Sequence, residues 1–245
     1  MGLRLSAIIC AYNEEKLLAA ALHSLFAQTR LPDEVIVVNN ASTDRTRAIA
    51  EGFPHVTVVD EPAKGLVKAR ARGLRDARGD ILVYIDADCR APVMLFERME
   101  RRFLSDPKVV AITGPYRFYD WDWIGVAGAR VYDYTLAPLA QFSAHYILRI
   151  GALLYGANFA VRRTALEAIG GFDTTIEFHG EDTNLGRRLT AVGRVDLKNS
   201  CYIYTSARRY KALGRARVFR LYARNFWWET VHHRPKDIVH EDVRL

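Results

Sequence analysis

Residues 81–89 read Ile-Leu-Val-Tyr-Ile-Asp-Ala-Asp-Cys, and this stretch decides how the rest of the chain is interpreted. Five apolar, β-favouring residues end in two carboxylates, which is typical of a buried strand in a parallel sheet. In open α/β sheets, ligands bind beyond the carboxyl ends of such strands. Because side chains alternate along an extended backbone, Asp86 and Asp88 are predicted to point the same way.

The Asp86–Asp88 pair has two interpretations. Two carboxylates in one cleft repel each other unless a cation lies nearby, and Mg²⁺ or Mn²⁺ prefers oxygen ligands. Mg²⁺ usually takes one or two carboxylates and completes its shell with substrate phosphates. The pair therefore indicates either a divalent metal that holds a diphosphate or a strand-end turn with two hydrated carboxylates. The motif is short and common, so its spacing alone does not decide between them.

The composition favours a globular protein with a large core and one strongly basic region. Half of the 245 residues are hydrophobic, and the formal net charge is +7. Three widely spaced cysteines argue against structural zinc or a disulfide scaffold and fit a reducing compartment such as the cytoplasm. Between Arg187 and Arg224, eleven Lys and Arg residues accompany one acid, Asp196. Such a region suits nucleotide phosphates, anionic lipid or nucleic acid.

The hydropathy pattern predicts a soluble or peripheral protein. The apolar part of the N-terminus is too short for a signal peptide, and no run of about 18 apolar residues is present. The basic region, together with Trp227-Trp228, favours peripheral attachment to an anionic leaflet on the inner face of the plasma membrane.

Strands and helices alternate up to about residue 113. The turn after the first strand, 11–14, reads Ala-Tyr-Asn-Glu and lacks the glycines of the dinucleotide-binding fingerprint. After the second strand, Ser42 or Thr43 is predicted to cap the next helix. The basic segment 64–70 is predicted to open a helix whose N-terminus suits phosphate oxygens. The predicted strands of this part are 5–10, 34–38, 56–59, 81–85 and 109–113.

The pattern changes in the second half of the chain. Residues 115–155 are rich in aromatic side chains and are predicted to form a linker and one or two helices that cover the cleft. Two further strands are predicted at 156–163 and 201–205. Glu181 and Asp182 begin a predicted helix, where acidic residues either stabilise the helix dipole or provide a general base.

Four motifs, in this order, resemble those of the family 2 glycosyltransferases over roughly residues 4–210. They are Ala11-Tyr12-Asn13-Glu14, Asn39-Asn40-Ala41-Ser42-Thr43-Asp44, Asp86-Ala87-Asp88, and Gly170-Gly171-Phe172-Asp173 with Gly180-Glu181-Asp182. The resemblance implies the GT-A fold, an α/β architecture with a mixed, mainly parallel sheet flanked by helices. It also implies one catalytic domain over 1–245. Its parts would be a nucleotide-sugar half (1–113), an acceptor half (114–210) and a basic, aromatic tail (211–245).

The resemblance further implies an inverting transfer from a nucleotide-diphosphate sugar, with a UDP-sugar first, to an acceptor hydroxyl. Cell-envelope polysaccharide, glycolipid or lipid-linked glycan synthesis is the expected setting. The implied cofactor is Mg²⁺ or Mn²⁺ on Asp88 and Asp86. The implied catalytic base is Asp182, paired with Glu181. The implied nucleotide-sugar site consists of Ala11, Tyr12, Glu14, Asn40, Arg70, Asp86, Ala87 and Arg208.

The chain departs from the family pattern at several positions. Asn40 stands where the family often has an Asp that contacts a uracil edge, and Ala71 replaces the Asn that commonly follows Arg70. A late His that serves related enzymes as a metal ligand has no counterpart, because the corresponding segment 204–206 reads Tyr-Thr-Ser. The His232-His233 pair lies in the tail.

Other functions are weighed against the same residues. A sugar-nucleotide pyrophosphorylase would need a glycine-rich loop after the first strand, and a phosphatase with an Asp-x-Asp motif does not suit Cys89-Arg90. Nucleic-acid binding lacks a groove-reading motif, so no nucleic-acid partner is expected. The remaining alternative is a catalytically silent module that binds a nucleotide-sugar or a lipid. Such a module would more plausibly have lost Asp88 or Asp182.

Overall fold

The computed structural model describes residues 2–147, 150–176 and 180–232, in which a seven-stranded sheet is flanked by helices. The strands are β1 Leu5–Ala11, β2 Glu34–Asn39, β3 Val56–Asp60, β4 Ile81–Asp86, β5 Val109–Thr113, β6 Tyr116–Phe118, β7 Asn158–Arg162, β8 Arg194–Leu197 and β9 Ile203–Thr205. The helices are α1 Leu18–Phe26, α2 Thr46–Glu51, α3 Leu66–Asp76, α4 Leu95–Ser105, α5 Trp123–Val131, α6 Ala137–Gln141, α7 Arg163–Ala168, α8 Glu181–Leu189, α9 Arg208–Leu213 and α10 Arg215–His232.

The main sheet has the strand order β3-β2-β1-β4-β7-β5-β8, and its strands are parallel except for β7. Strands β6 and β9 pair in a separate parallel ribbon. The predicted α/β class with a mixed, mainly parallel sheet is confirmed. The chain order reverses between β1 and β4, and such a switch point opens a crevice at the carboxyl ends of the two strands.

The hydrophobic core lies on both faces of the sheet because side chains alternate along each strand. On β1, Leu5, Ala7 and Ile9 face the layer of α1 and α4. Ile8 faces the opposite layer, which includes α3, α7 and α8. The near-continuous apolar runs in the sequence are thus explained by a sheet that is buried on both sides.

The strand register brings the predicted site segments to one edge of the sheet. Cys10 pairs with Asp86, and Ala11 pairs with Asn39. Because β7 runs antiparallel, its first residue, Asn158, reaches the same edge beside Ile85. The turns after β1, β2 and β4 therefore meet the segment that enters β7.

The Asp pair does not lie on extended backbone throughout, as the sequence predicted. Strand β4 ends at Asp86, and the amide of Cys89 donates to the carbonyl of Asp86 at 3.0 Å, which closes a turn over Ala87 and Asp88. The prediction that strand alternation aligns the two carboxylates is therefore wrong. A tight turn, rather than the pleat of a strand, brings both into one cavity.

The predicted cap of α2 by Ser42 or Thr43 is also wrong. Helix α2 begins at Thr46, whose amide donates to Asp44 Oδ1 at 2.9 Å. Ser42 Oγ instead accepts from the amide of Asn13 at 3.1 Å, and the amide of Thr43 donates to Asn13 Oδ1 at 2.8 Å. A contact between two loops takes the polar groups that would otherwise serve as local caps.

The aromatic segment forms a continuous helical run from residue 123 to 147, with π-helical turns at Tyr132–Leu136 and Phe142–Ile147 between and after α5 and α6. The helices predicted to cover the cleft are present and line it. Helix α10 continues to His232, so residues 215–232 of the predicted basic, aromatic tail are helical. His233, the side chain of Trp227 and residues 234–245 lie outside what the structure describes.

Candidate active site

A cavity of about 1460 Å³ opens at the carboxyl edge of the sheet. Its walls are the ends of β1 and β4, the N-terminus of α8, the helical run 123–147 and part of α10. Every residue predicted to form the site lines this one cavity. They are Ala11, Tyr12, Glu14, Asn40, Arg70, Asp86, Ala87, Asp88, Glu181, Asp182 and Arg208.

The loops after β1 and β2 are joined by hydrogen bonds, which fixes one part of the cavity wall. Asn13 adopts a left-handed conformation with φ of 51°, which asparagine tolerates better than most residues. The amide of Glu14 donates to Thr46 Oγ1 at 2.7 Å. Lys64 Nζ lies 3.9 Å from the centroid of the Tyr12 ring, in a cation–π arrangement. The first two motifs thus form one structural unit.

Asn40 is buried and uses its side chain to hold the loop that leads into α3. Its amide nitrogen donates to the carbonyls of Glu61 and Ala63, at 2.9 Å each. Its Oδ1 accepts from the amide of Gly65 at 2.8 Å. The structure therefore gives Asn40 a definite part in shaping the N-terminus of α3, and its predicted contact with a base stays a prediction.

Arg208 connects two of the predicted acidic residues. Its Nη1 donates to Glu14 at 3.0 Å and its Nη2 lies 3.1 Å from Asp88 Oδ2. Asp120 fixes the start of α9 by accepting from the amide of Ala207 at 2.6 Å. Glu14 is only 6% exposed, so its pairing with Arg208 offsets the cost of burying its charge.

The carboxylates of Asp86 and Asp88 fit a divalent cation. The side chain of Asp88 is 11% exposed, and that of Asp86 is 37% exposed. Burial raises the pKa of Asp88 to about 6, and the charge of Arg208 opposes this shift. No third His, Cys, Asp or Glu stands close enough to share a metal within the described ranges. Two carboxylates suit Mg²⁺ or Mn²⁺ when substrate phosphates supply further oxygens.

Arg70 lines the cavity between Asp86 and Glu181. The residue is 2% exposed, and its Nη2 donates to the carbonyl of Gly156 at 2.7 Å. The guanidinium lies 3.9 Å from Asp86 and 3.7 Å from Glu181. A buried cation at this position lowers the repulsion between carboxylates that would otherwise face each other across the cavity.

Glu181 and Asp182 begin α8, directly after Gly180, which takes the left-handed φ of 85°. Burial, followed by the charge of Asp182, raises the pKa of Glu181 to about 8. Burial also raises the pKa of Asp182, and Arg70 opposes that shift. Because neighbouring buried carboxylates titrate as a pair, ionisation of one member disfavours ionisation of the other.

Asp133 is a cavity residue that the sequence reasoning missed. It lies in the first π-helical turn, is 5% exposed and accepts from the Tyr155 hydroxyl at 2.9 Å. Burial raises the pKa of Asp133 to about 6, although the Tyr155 hydrogen bond opposes the shift. The sequence signal for Asp133 is that it is the only acidic residue in 123–142. This stretch is largely apolar, and its one basic residue is Arg130. The residue gives the cavity a buried polar group.

These raised pKa values predict that the protein alone becomes less stable as pH rises. Glu181 and Asp133 bind their protons more tightly in the folded than in the unfolded chain. Their stabilising contribution is complete below about pH 4 and is lost as pH passes through about 6 for Asp133 and about 8 for Glu181. Scanning calorimetry at pH 5.5 and 8.5 should show a lower Tm at the higher pH. In a chain of this size, a loss of about 1 kcal/mol in the free energy of unfolding lowers the Tm by roughly 2–4 °C.

Glu181→Gln provides the control for this pH dependence. The variant lacks the carboxyl group with the higher pKa of the two. Its Tm should therefore change less between pH 6.5 and 8.5 than that of the wild type. A wild-type Tm that rises across this interval, or an unaltered slope in the variant, would contradict the assignment.

Comparison with known proteins identifies the family of the chain. The model of the family described as "Glycosyl transferase family 2" matches residues 6–170, which is more than half of the chain. "Probable glycosyltransferase YdaM" of Bacillus subtilis (strain 168) is 28% identical over 203 residues, which cover 78% of this chain. The matched part is 47% of YdaM, so the chain spans about half the length of that relative.

Solved structures share the fold at low sequence identity. A mannosyltransferase from Pyrobaculum calidifontis, solved with GDP-Man and Mn²⁺, superposes with a TM-score of 0.69 at 24% identity, covering 95% of this chain and 64% of the other. GalNAc-T7, solved with UDP, GalNAc and Mn²⁺, gives a TM-score of 0.64 at 16% identity, covering 84% of this chain and 43% of the other. The predicted GT-A fold is thereby confirmed. Because the family model matches more than half of the chain, the chain belongs to glycosyl transferase family 2.

Proposed function

We propose that the protein transfers a sugar from a nucleotide-diphosphate sugar to an acceptor hydroxyl with inversion at the anomeric carbon. The observation that carries the proposal is that Asp88 and Asp182 line one cavity although they come from different halves of the chain. Asp88 follows β4 in the nucleotide-sugar half, residues 1–113. Asp182 begins α8 in the acceptor half, residues 114–210.

The donor would lie along the ends of β1 and β4. Tyr12, with Lys64 against its ring, offers a flat surface for a nucleobase, and the amides at the start of α3 suit phosphate oxygens. One structural neighbour was solved with GDP-Man, and another was solved with UDP. We infer UDP-sugars as the first donors to test, because the family often contacts uracil at the position of Asn40, although Asn replaces the usual Asp here and its side chain holds the loop before α3.

Asp86 and Asp88 are the residues that would hold Mg²⁺ or Mn²⁺. When bound, the cation supplies positive charge against the diphosphate, which becomes more negative as the sugar departs. Arg208 lies beside Asp88 and presents a planar group that is suited to bidentate contacts with phosphate. The chain's own contribution is to keep two carboxylates and one guanidinium at a fixed place at the end of β4.

Asp182 would take the proton from the acceptor hydroxyl. A hydroxyl is a poor nucleophile until a base removes its proton, and a positioned carboxylate contributes about 10²–10⁴-fold to the rate. The charge of Arg70 and the hydrogen bond from the amide of Thr183 both favour the ionised form of Asp182. A base whose pKa is raised toward neutrality accepts a proton more readily than an ordinary aspartate.

The placement of these groups favours a single displacement. The proposed base belongs to α8, and the proposed diphosphate site belongs to the turn after β4, on another part of the cavity wall. If the hydroxyl attacks from the side of Asp182 while the diphosphate leaves toward Asp88, the anomeric configuration inverts. A double displacement would require a nucleophile that stays beside the sugar, and the predicted site assigns no residue to that role.

The acceptor is proposed to be a glycan or a lipid-linked molecule of the cell envelope, met by a protein that works at the cytoplasmic face of the membrane. No described helix is both long and apolar enough to cross a bilayer. The buried Asp133–Tyr155 pair provides hydrogen-bonding groups on the acceptor side of the cavity. A polar acceptor head could be held there while its hydroxyl approaches Asp182.

A screen of nucleotide-sugars with and without Mn²⁺ tests the proposed reaction. Thermal stabilisation by one nucleoside diphosphate, together with metal-dependent release of that diphosphate from its sugar ester, is the expected result. Analysis of the product by NMR should show the anomeric configuration opposite to that of the donor. Binding without turnover toward any acceptor would instead favour the silent binding module.

A further inference from the structure

The helical run 123–147 leaves an extended surface that is apolar and uncharged. Trp123 is 79% exposed, Val131 62% and Leu139 61%, which is unusual for such side chains in a soluble monomer. We call this surface the apolar face. Its large members are Trp123, Ile124, Val131, Tyr134, Leu139 and Phe142.

The spacing of these residues places them on one side of the helical run. Ile124 and Val131 are seven positions apart and Val131 and Leu139 eight, which is close to two helical turns in each case. The buried positions Gly125, Asp133, Ala137 and Gln141 point to the protein interior instead. The run's charged residues, Arg130 and Asp133, are not among its exposed positions. The apolar face is therefore a continuous feature of the run and not a few scattered exposed side chains.

Helix α10 supplies positive charge beside the same cavity. Arg217, Arg220 and Arg224 are exposed, and the sequence from residue 215 to 225 contains no acid. Phe219, which is 65% exposed, and Tyr222 of this helix line the cavity together with residues of the helical run. Residues of the helical run and of α10 thus contribute together to the wall of the cavity that also contains Asp182.

We propose that the apolar face and the exposed arginines of α10 form a docking surface for an anionic lipid leaflet. An interfacial helix buries its apolar side at the level of the headgroups. Each nearby Arg adds to the binding free energy because the surface potential of the leaflet is negative. Trp and Tyr side chains favour the same level. A second copy of the chain would bring like-charged arginines together, and a nucleic acid would gain nothing from the uncharged face. A lipid surface satisfies both features.

The docking surface also bears on the acceptor, and this corollary rests on the proposed function. The wall of the cavity includes residues of the helical run and of α10. If these elements rest on the leaflet, the cavity would open toward the membrane. The acceptor hydroxyl would then belong to a molecule that carries a lipid chain, whose polar head enters the cavity from the leaflet.

Co-sedimentation with vesicles tests the docking surface directly. We expect the protein to pellet with phosphatidylcholine vesicles that contain about 30% phosphatidylglycerol, more strongly than with pure phosphatidylcholine, and less at high salt. The double variant Trp123→Glu/Leu139→Glu should lower the partition coefficient by at least about tenfold. Arg220→Glu should reduce the preference for anionic vesicles and leave the weaker binding to neutral ones.

Leu31→Glu/Leu104→Glu is the matched control, because these residues are 51% and 55% exposed and lie away from the apolar face. Its partition coefficient should stay close to that of the wild type. Circular dichroism and thermal stabilisation by the donor nucleotide, measured without vesicles, show that each variant is folded and keep this test separate from that of catalysis.

Three results would overturn the proposal. They are a wild type that stays in the supernatant with both kinds of vesicle, an equal loss of binding in the control variant, and a dimer that Trp123→Glu/Leu139→Glu converts to a monomer while neither form pellets. The last result would assign the apolar face to a second copy of the chain.

Discussion

Asp182→Asn is expected to lower the turnover number for sugar transfer by about 10²–10⁴-fold, because asparagine cannot take a proton from the acceptor hydroxyl. The change preserves the size of the side chain and its ability to accept a hydrogen bond. Asp182 Oδ1 accepts from the amide of Thr183 at 2.8 Å, and an asparagine Oδ1 can do the same. The start of α8 should therefore keep its conformation.

Nucleotide binding separates loss of a base from loss of the site. The dissociation constant of the donor nucleotide, measured by isothermal titration calorimetry in Mn²⁺, should stay within about threefold of the wild-type value, since the lost interaction belongs to the transition state. Full turnover in Asp182→Asn would rule out its role as the base. A large loss of nucleotide affinity would place Asp182 in the donor site.

Glu181→Gln is the informative neighbour of this variant. A protonated glutamate and a glutamine have similar size and polarity, and burial with the charge of Asp182 raises the pKa of Glu181 to about 8, which favours its protonated form. The variant should lose less than about tenfold in turnover, far less than a missing base would cost. If Glu181→Gln were the more damaged of the two, the roles within the pair would have to be exchanged.

The main sheet could be predicted from sequence because its strands carry their own signal. Strands buried on both faces appear as unbroken apolar runs, and β5 was predicted with the same bounds, Val109–Thr113, that the structure shows. Strand β8, Arg194–Leu197, was missed. It lies at the edge of the sheet, and its Arg194 and Asp196 form ion pairs with each other, which hides the apolar pattern of a strand.

Features that depend on distant contacts were beyond the reach of the sequence. Ser42 is a good capping residue by local chemistry, and only the approach of the loop at Asn13 makes it an acceptor for another segment. Arg208 and Glu14 are 194 positions apart and form one ion pair. Their contact follows from how α9 returns to the end of β1, which no local pattern encodes.

The predicted site residues all reached one cavity because most of them follow a strand or begin a helix. Parallel strands end at one edge, so a polar residue after an apolar run is already placed in space. Asp133 could not be predicted in this way because it lies within a helical run. It belongs to a π-helical turn, which sequence patterns do not signal. Turns of this kind are frequent at functional sites, which makes Asp133 a candidate for the acceptor side.

Asp88→Asn is expected to remove the metal dependence of donor binding and to lower sugar transfer by about 10³-fold, or roughly 4 kcal/mol in the barrier. The substitution keeps the shape of the turn after β4 and removes one of the two carboxylates that suit a divalent cation. The dissociation constant of the nucleoside diphosphate should fall strongly with increasing Mn²⁺ concentration in the wild type. In the variant it should change little.

The same variant distinguishes the metal from Arg208 as the group that holds the diphosphate. Arg208 Nη2 lies 3.1 Å from Asp88 Oδ2, so the loss of that charge leaves the guanidinium freer to contact phosphate. In EDTA, Asp88→Asn should therefore bind the nucleotide as well as the wild type or better, whereas in Mn²⁺ it should bind more weakly. The relative nucleotide affinity of variant and wild type would thus reverse between EDTA and Mn²⁺. This reversal is specific to a carboxylate that contacts both a metal and an arginine.

Asp76→Asn is the matched control for that reversal, since Asp76 pairs with Arg72 at the end of α3 and does not line the cavity. It should follow the wild type in both EDTA and Mn²⁺. If Asp88→Asn kept the full Mn²⁺ dependence, the cation would have to be held elsewhere. If it bound more weakly than the wild type in EDTA as well, Asp88 would support the nucleotide site through its contact with Arg208 and not through a metal. The metal assignment therefore depends on the sign of the change in each condition and not on the loss of activity alone.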